Sequence, residues 1–289
     1  MHSNLPIGIY DSGIGGLTVY KKLKELLPRE NIIYFGDTAR SPYGSRNKEQ
    51  ICQFTDEIMK FMSLCSVKVG VVACNTITVL GTSSISHNYN FDLIGNSTGA
   101  MSALATTKSK CIGVIATEAT VRSGFHHTEI TSIDPSVKVV AQACPEFAPL
   151  IEVGNLDSPE LYEAAVKYLT PLRELDVDTV ILACTHYPYI SHLIQEIMGK
   201  KVTIIDPAEE TAQRVHEFLA TRQLLNEQKL GNSRFYFSAN AERAKMIANN
   251  LFDTNGLNFD MLDLSLLSYY CSRYSISSNN DILHQNASV

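Results

Sequence analysis

The chain has 289 residues, of which 45% are hydrophobic and 19% charged, and carries a net charge of −6. This balance suits a soluble globular protein of one large or two ordinary domains with a sizeable core, and the lack of any basic block removes the electrostatic footprint of a nucleic-acid binder. No apolar run approaches the roughly 18 residues of a membrane span, and the N-terminal MHSNLPIGIYDSG shows none of the charged and apolar regions of a secretion signal.

Short apolar, β-rich runs alternate with helical periodicity along most of the chain. The first strand is predicted over residues 6–10 and ends on Asp11-Ser12, followed by Gly13-Ile14-Gly15-Gly16. A second, over 31–35, leads into Asp37-Thr38 and the loop Ala39-Arg40-Ser41-Pro42-Tyr43-Gly44-Ser45. Ile51, Phe54, Ile58, Phe61, Met62 and Cys65 recur at helical spacing and predict an amphipathic helix over 47–65. Strands follow over 69–73, 92–94, 111–115, 137–141, 179–183, 202–205 and 234–237. Ser158-Pro159 and Asp206-Pro207 each read as an N-cap followed by proline at the first helical position, and Glu209 is placed to complete a capping box with Asp206. Several strands are continuously apolar, as strands buried on both faces of a parallel sheet are. The predicted class is α/β, and the polar tail 275–289 is expected to be poorly ordered.

An internal repeat says more. Val71-Val72-Ala73-Cys74-Asn75-Thr76 and Ile181-Leu182-Ala183-Cys184-Thr185-His186 are one pattern, an apolar strand closed by alanine, cysteine and small polar residues. Ile7-Gly8-Ile9 and Ile112-Gly113-Val114 open the corresponding halves. Two βα halves of similar plan would present both cysteines at carboxyl ends of strands, where open α/β sheets bind ligands.

Seven cysteines, an odd and scattered set, do not suggest a disulfide framework. In a reducing cytoplasm, the expected compartment, each is core filler, a metal ligand or a reactive thiol, and the two N-x-S/T matches at Asn96 and Asn286 carry no weight. A cysteine between a strand and a helix start lies near unpaired N–H groups, which favour thiolate and would bring the thiol toward neutrality as a general base requires. Cys74 and Cys184 are therefore the candidate acid/base pair, while Cys52, Cys65, Cys111, Cys144 and Cys271 read as filler. Asp11, Ser12, Asp37 and Thr38 share the same sheet edge; the hydroxyls and N–H groups there suit a carboxylate, and Asp11 suits a substrate ammonium or the orientation of a thiol. The glycines at 13, 15 and 16 fall short of a dinucleotide fingerprint, because its third glycine would land on Thr18. Neither a C-x-x-C nor an H-x-x-x-H spacing supports zinc, and His126-His127 reads as surface.

Taken together, Tyr10 through Leu17, Asp37-Thr38-Ala39-Arg40 with Pro42-Tyr43-Gly44, Ala73-Cys74-Asn75-Thr76, and Cys184-Thr185-His186-Tyr187-Pro188 resemble the glutamate racemases. Cys144-Pro145, Pro149-Leu150-Ile151-Glu152, Phe235-Tyr236-Phe237 and Ala241-Glu242-Arg243 extend the likeness up to about Phe252. Aspartate racemases of the same superfamily carry a glutamate after the Cys-Thr pair, where this chain has His186. The resemblance implies two pseudo-symmetric α/β domains, residues 1–97 plus 207–289 and residues 98–206, with the site between them and neither cofactor nor metal. It implies that Cys184 deprotonates L-glutamate while Cys74 reprotonates the opposite face, with Asp11 helping Cys74, and Glu152 and His186 helping Cys184. It further implies substrate contacts from Asp11, Ser12, Tyr43, Gly44, Asn75, Thr76, Thr117, Thr120, Thr185 and His186, a homodimer, and a role in supplying D-glutamate for peptidoglycan. Gly95-Asn96-Ser97-Thr98-Gly99-Ala100 departs from the family's apolar-acidic-proline run before Gly-Ala. The competing readings are a relative acting on aspartate, a hydantoin or a related carboxylate, and a ligand-binding protein on the same scaffold with inert cysteines.

Overall fold

The computed structural model describes residues 3–85 and 89–273. In chain order it contains β1 (Ile7–Asp11), α1 (Leu17–Leu26), β2 (Ile32–Gly36), α2 (Lys48–Leu64), β3 (Val69–Val72), α3 (Asn75–Ile85), β4 (Asp92–Gly95) and α4 (Ala100–Thr106). There follow β5 (Cys111–Ala116), α5 (Glu118–Ser123), α6 (Phe125–Ile133), β6 (Lys138–Ala143), α7 (Phe147–Val153), α8 (Pro159–Arg173) and β7 (Thr179–Ala183). The chain closes with α9 (Ser191–Met198), β8 (Thr203–Ile205), α10 (Pro207–Thr221), β9 (Ser233–Phe237), α11 (Ala241–Ala248), β10 (Asn258–Met261) and α12 (Leu264–Arg273).

Each expected strand forms, and every described pairing is parallel. The strands make two sheets, in the orders β10-β9-β2-β1-β3-β4 and β6-β5-β7-β8. The run β2-β1-β3-β4 repeats the run β6-β5-β7-β8, so the sequence repeat is a repeat of topology. β1 and β7 are buried at every position, which is why Ile7–Tyr10 and Val180–Ala183 read as apolar runs. In each half the chain leaves the central strand to one side and then returns on the other, at β1/β3 and at β5/β7. Those reversals are where open parallel sheets leave a crevice at their carboxyl edges.

Local signals set the flanking helices. The α2 start is a reciprocal box, in which Asn47 Oδ1 accepts from Gln50 N at 2.9 Å and Gln50 Oε1 accepts from Asn47 N at 3.4 Å. Ser158 caps α8, accepting from Leu161 N at 3.2 Å. Asp206 caps α10 through Ala208 N at 3.0 Å and not through the third residue of the helix, so the box expected with Glu209 does not form. At the amino edge of the first sheet, the buried Lys68 ammonium donates to Ser3 O at 2.6 Å, to Leu224 O at 2.8 Å and to the Glu30 carboxylate, whose other oxygen accepts from Asn226 N at 2.7 Å. Every polar atom of that pair is engaged, as a buried ion pair requires.

β10 was not expected. Of its four residues only Phe259 is buried, stacked on Phe235 with ring centroids 4.4 Å apart. His126 is buried, contrary to the surface reading, because it lies one helical turn before Ile130 on the inner face of α6; burial pushes its pKa down to about 4. His127 beside it is exposed, as expected. The tail 275–289, its Asn286 match and the Cys271 side chain lie outside the described residues.

Candidate active site

Parallel register decides which residues meet. Asp11 pairs with Gly36 and Val72 with Gly95, so the residues that follow β1 to β4 emerge together. Ala116 pairs with Ala183, which brings Thr117 and Cys184 to one edge of the second sheet. The two edges face each other. Thr76 Oγ1 lies 3.0 Å from Thr117 Oγ1, Thr185 Oγ1 donates to Asp11 Oδ2 at 3.1 Å, and Ile14 N donates to Glu152 Oε1 at 3.2 Å. Between them is a narrow cleft enclosing about 290 Å³ with its opening, lined by Ser12, Pro42, Tyr43, Gly44, Cys74, Asn75, Thr76, Thr117, Ala148, Cys184, Thr185 and His186.

Both candidate thiols therefore line one cleft. Their settings differ. Cys74 precedes the α-helix α3, whereas Cys184 precedes a turn and the short 3-10 helix Tyr187–Ile190. Burial, reinforced by the Asp11 carboxylate, pushes the Cys74 thiol up to about 12; hydrogen bonds from Ile77 N and the Ser12 side chain act in the opposite direction and lose. The thiol at this strand end is thus raised, not brought toward neutrality, because desolvation outweighs a few backbone dipoles. Cys184 Sγ lies 3.8 Å from His186 Nδ1, and His186 Nε2 lies 2.8 Å from Glu152 Oε1. Burial opposes the charge on His186, but hydrogen bonds to Cys184 and Glu152 overcome it and hold the imidazole well above its usual range. The Glu152 carboxylate thus favours a protonated imidazole beside Cys184.

Asp11 itself does not line the cleft. It is fully buried one layer behind, accepting from Gly13 N at 2.9 Å and from Thr185, and burial raises its pKa. The structure thus gives it no surface for a substrate ammonium; it can act on Cys74 through its charge and on Thr185 through its hydrogen bond. Glu152 is likewise behind His186, lining a neighbouring depression with Ser41 and Arg243. Thr120 sits behind Thr117, donating nothing to the cleft but accepting from Thr117 Oγ1 at 3.1 Å. Tyr43 spends its hydroxyl on the fold: it accepts from Tyr10 OH at 2.8 Å and donates to Asp37, which also pairs with Arg40 at 2.6 Å. Gly44 is needed because a Cβ there would stand 2.9 Å from Thr117 Cβ.

The glycines after β1 have a purpose that their spacing concealed. A Cβ on Gly13 would fall 2.1 Å from Glu152 Oε1, and one on Gly15 would fall 2.4 Å from Thr185 Oγ1 and 2.6 Å from His186 Nδ1. They form the bare wall on which the His186–Glu152 dyad rests. Tyr34 OH donates to Gly13 O at 2.7 Å and Tyr189 OH to Ile14 O at 3.1 Å, fixing that wall from either sheet. Among the described residues no group of three or more His, Cys, Asp or Glu side chains is arranged to hold a metal ion, and no helix is long and apolar enough to cross a membrane.

Residues 7–215 match the model of the family described as Asp/Glu/Hydantoin racemase. The chain belongs to that family. It is 47% identical over 237 residues to a glutamate racemase of Thermoanaerobacter sp., covering 82% of this chain and 89% of the relative. It is 41% identical over 247 residues to the glutamate racemase of Geobacter metallireducens, covering 85% and 92%. Among solved structures, a glutamate racemase isoform from Bacillus anthracis superposes with a TM-score of 0.83 at 33% identity, over 91% of this chain and 98% of the other. The Francisella tularensis glutamate racemase in complex with D-glutamate superposes at 0.81 and 32% identity, over 92% and 100%. Membership makes the chain an isomerase, a racemase whose two halves and α/β sheets are those of the solved relatives.

Proposed function

We propose that this racemase interconverts L- and D-glutamate without a cofactor, by two-base proton transfer between Cys74 and Cys184. One observation carries the reading: the two thiols line a single cleft from equivalent ends of β3 and β7, so that a carbon held between them has one sulfur on each face. The names of the relatives supply the substrate. Inversion needs groups of one kind in opposite protonation states on opposite faces, and a thiol/thiolate pair meets that need in both directions.

Cys184 as thiolate takes the α-proton of L-glutamate, with the His186 imidazolium at 3.8 Å stabilising its charge and Glu152 holding the imidazole in place. The electron pair left on the α-carbon takes the proton of the Cys74 thiol from the other side, giving D-glutamate and a Cys74 thiolate. The reverse reaction exchanges the roles. A thiol held at about 12 is a ready proton donor to a carbanion, which suits Cys74 to this direction. Ser12, Asn75, Thr76, Thr117 and Thr185 ring the cleft with polar groups; the Thr117 and Thr185 hydroxyls already donate to Thr120 and Asp11, which leaves the Asn75 N–H₂ to donate to a substrate carboxylate. Thr120 braces Thr117, and Asp11 acts from behind on Cys74 and Thr185.

The reading includes two domains, residues 1–97 plus 207–289 and residues 98–206, with the site between them; the division of the strands into two sheets supports it. It also includes a homodimer working in the cytoplasm, where D-glutamate feeds peptidoglycan synthesis. Exchange of the α-proton of L-glutamate in D₂O tests the reaction, and an inert wild-type protein refutes it. Cys74→Ser and Cys184→Ser should each lower racemisation by about 10²–10⁴-fold, the usual worth of a positioned acid or base; unimpaired turnover in either overturns the two-base assignment.

A further inference from the structure

The chain passes from the first sheet to the second through residues 96–99 and returns through Asp206 into α10. Side chains of the two crossings meet behind the cleft. Asn96 is held in line by its own N–H, which donates to Val72 O at 2.8 Å. Thr211, fully buried on α10, accepts from Ser97 N at 2.8 Å and donates to Asn96 Oδ1 at 2.5 Å, with Pro207 O a more distant acceptor at 2.9 Å. Asn96 Nδ2 in turn donates to Asn75 Oδ1. A carboxamide has one accepting and one donating face. Once Thr211 gives its proton to Asn96 Oδ1, Asn96 must offer N–H to Asn75, and Asn75 must receive on its oxygen. The two N–H bonds of Asn75 Nδ2 are then left for the cleft, and among the described residues they have no protein acceptor.

We infer that Asn96 is a positioning residue: it sets which face of Asn75 the substrate meets, so that a substrate carboxylate finds two donors and not an oxygen. Thr211 is the origin of that orientation, which couples the return crossing of the chain to the cleft beside Cys74. This rests on the reaction proposed above. It also gives the departure at Gly95-Asn96-Ser97-Thr98-Gly99-Ala100 a use, because an apolar side chain in place of Asn96 could neither accept from Thr211 nor donate to Asn75.

Asn96→Asp keeps the size and the Thr211 contact but has no donor. Asn75 must then turn its N–H₂ toward residue 96 and present its oxygen to the substrate. KM for both L- and D-glutamate should rise about tenfold, the order expected when a hydrogen bond to a charged group is lost, with kcat within about threefold of wild type, because the contact is made in ground and transition states alike. The enantiomers have equal free energy, so kcat/KM must fall by one factor in both directions. Thr211→Val removes the orienting donor without adding a charge, and should raise KM about threefold in the same pattern. A purely structural role would lower the melting temperature of both variants and leave KM of the folded enzyme at the wild-type value, and that result overturns the inference. Should Asn96→Asp fail to fold, an unmoved KM in Thr211→Val has the same force. Active wild type with unmoved variants sinks the role of Asn96 alone; inert wild type sinks the racemase reading and this one with it.

Discussion

Replacing Glu152 by glutamine keeps the shape of the His186 partner and removes its charge. His186 Nε2 and Glu152 Oε1 are 2.8 Å apart, with the imidazole 3% and the carboxylate 21% exposed, so solvent screens the pair only in part. A charge-assisted hydrogen bond of this kind contributes about 1.5–3 kcal/mol, which here favours the protonated imidazole. His186 titrates above its ordinary value in the folded protein, so Glu152→Gln must move it down. The alkaline limb of kcat/KM for L-glutamate, which on the proposed mechanism reports loss of the imidazolium beside Cys184, should then shift toward acid. The Cys74 side has no imidazole, so the two directions should show different kcat profiles. The same titration feeds stability. A raised imidazole pKa adds stability that is fully present below about pH 6.5 and is lost as pH rises through the folded-state value; the variant should lose that acid-side advantage in denaturant melts. The imidazole resonances of His186 report the shift directly. A titration that stays where it is, or moves upward, would refute the role assigned to the dyad.

Two other substitutions probe the wall and the frame. Gly15→Ala places a methyl group 2.6 Å from His186 Nδ1 and 2.4 Å from Thr185 Oγ1, forcing both away from the cleft. A misplacement near 1 Å can cost about 10²-fold, so kcat/KM in a coupled D-glutamate assay should fall by that order while the far-ultraviolet circular dichroism is retained; wild-type kinetics would show that the wall is not what positions them. Lys68→Ala leaves the buried Glu30 unpaired and should cost about 3–5 kcal/mol in urea unfolding. Its effect on kcat/KM of the folded enzyme should be negligible, since Lys68 precedes β3 and Cys74 follows it at the opposite end of the strand; a large kinetic effect would contradict that separation.

The strands were legible because a parallel strand buried on both faces has little choice but to be largely apolar, as Ile7–Tyr10 and Val180–Ala183 are. β10 escaped notice for the same reason in reverse: it is an edge strand whose one buried side chain, Phe259, leaves no pattern. The paired cysteines stood out because polar residues follow each of them where a core would continue. What sequence reasoning missed depends on partners far along the chain. Gly13 and Gly15 looked like a failed nucleotide fingerprint, and only contact with Glu152, Thr185 and His186 shows what their bareness serves. The thiol of Cys74 was expected to move toward neutrality because backbone dipoles can be foreseen from a strand-helix junction, whereas the burial that outweighs them cannot. Asn96 stood out as a departure, but its use required knowing that α10 would bring Thr211 against it.

The height of the Cys74 thiol also governs its behaviour toward oxidants. A thiol raised this far stays protonated near neutral pH, and peroxides and electrophiles attack thiolate, not thiol. A sulfur proposed to exchange protons with carbon is therefore chemically quiet while it stays protonated. In the proposed two-base reaction, the enzyme poised for L-glutamate holds Cys74 protonated and so keeps that sulfur off the oxidation ladder, without a disulfide or a second protein.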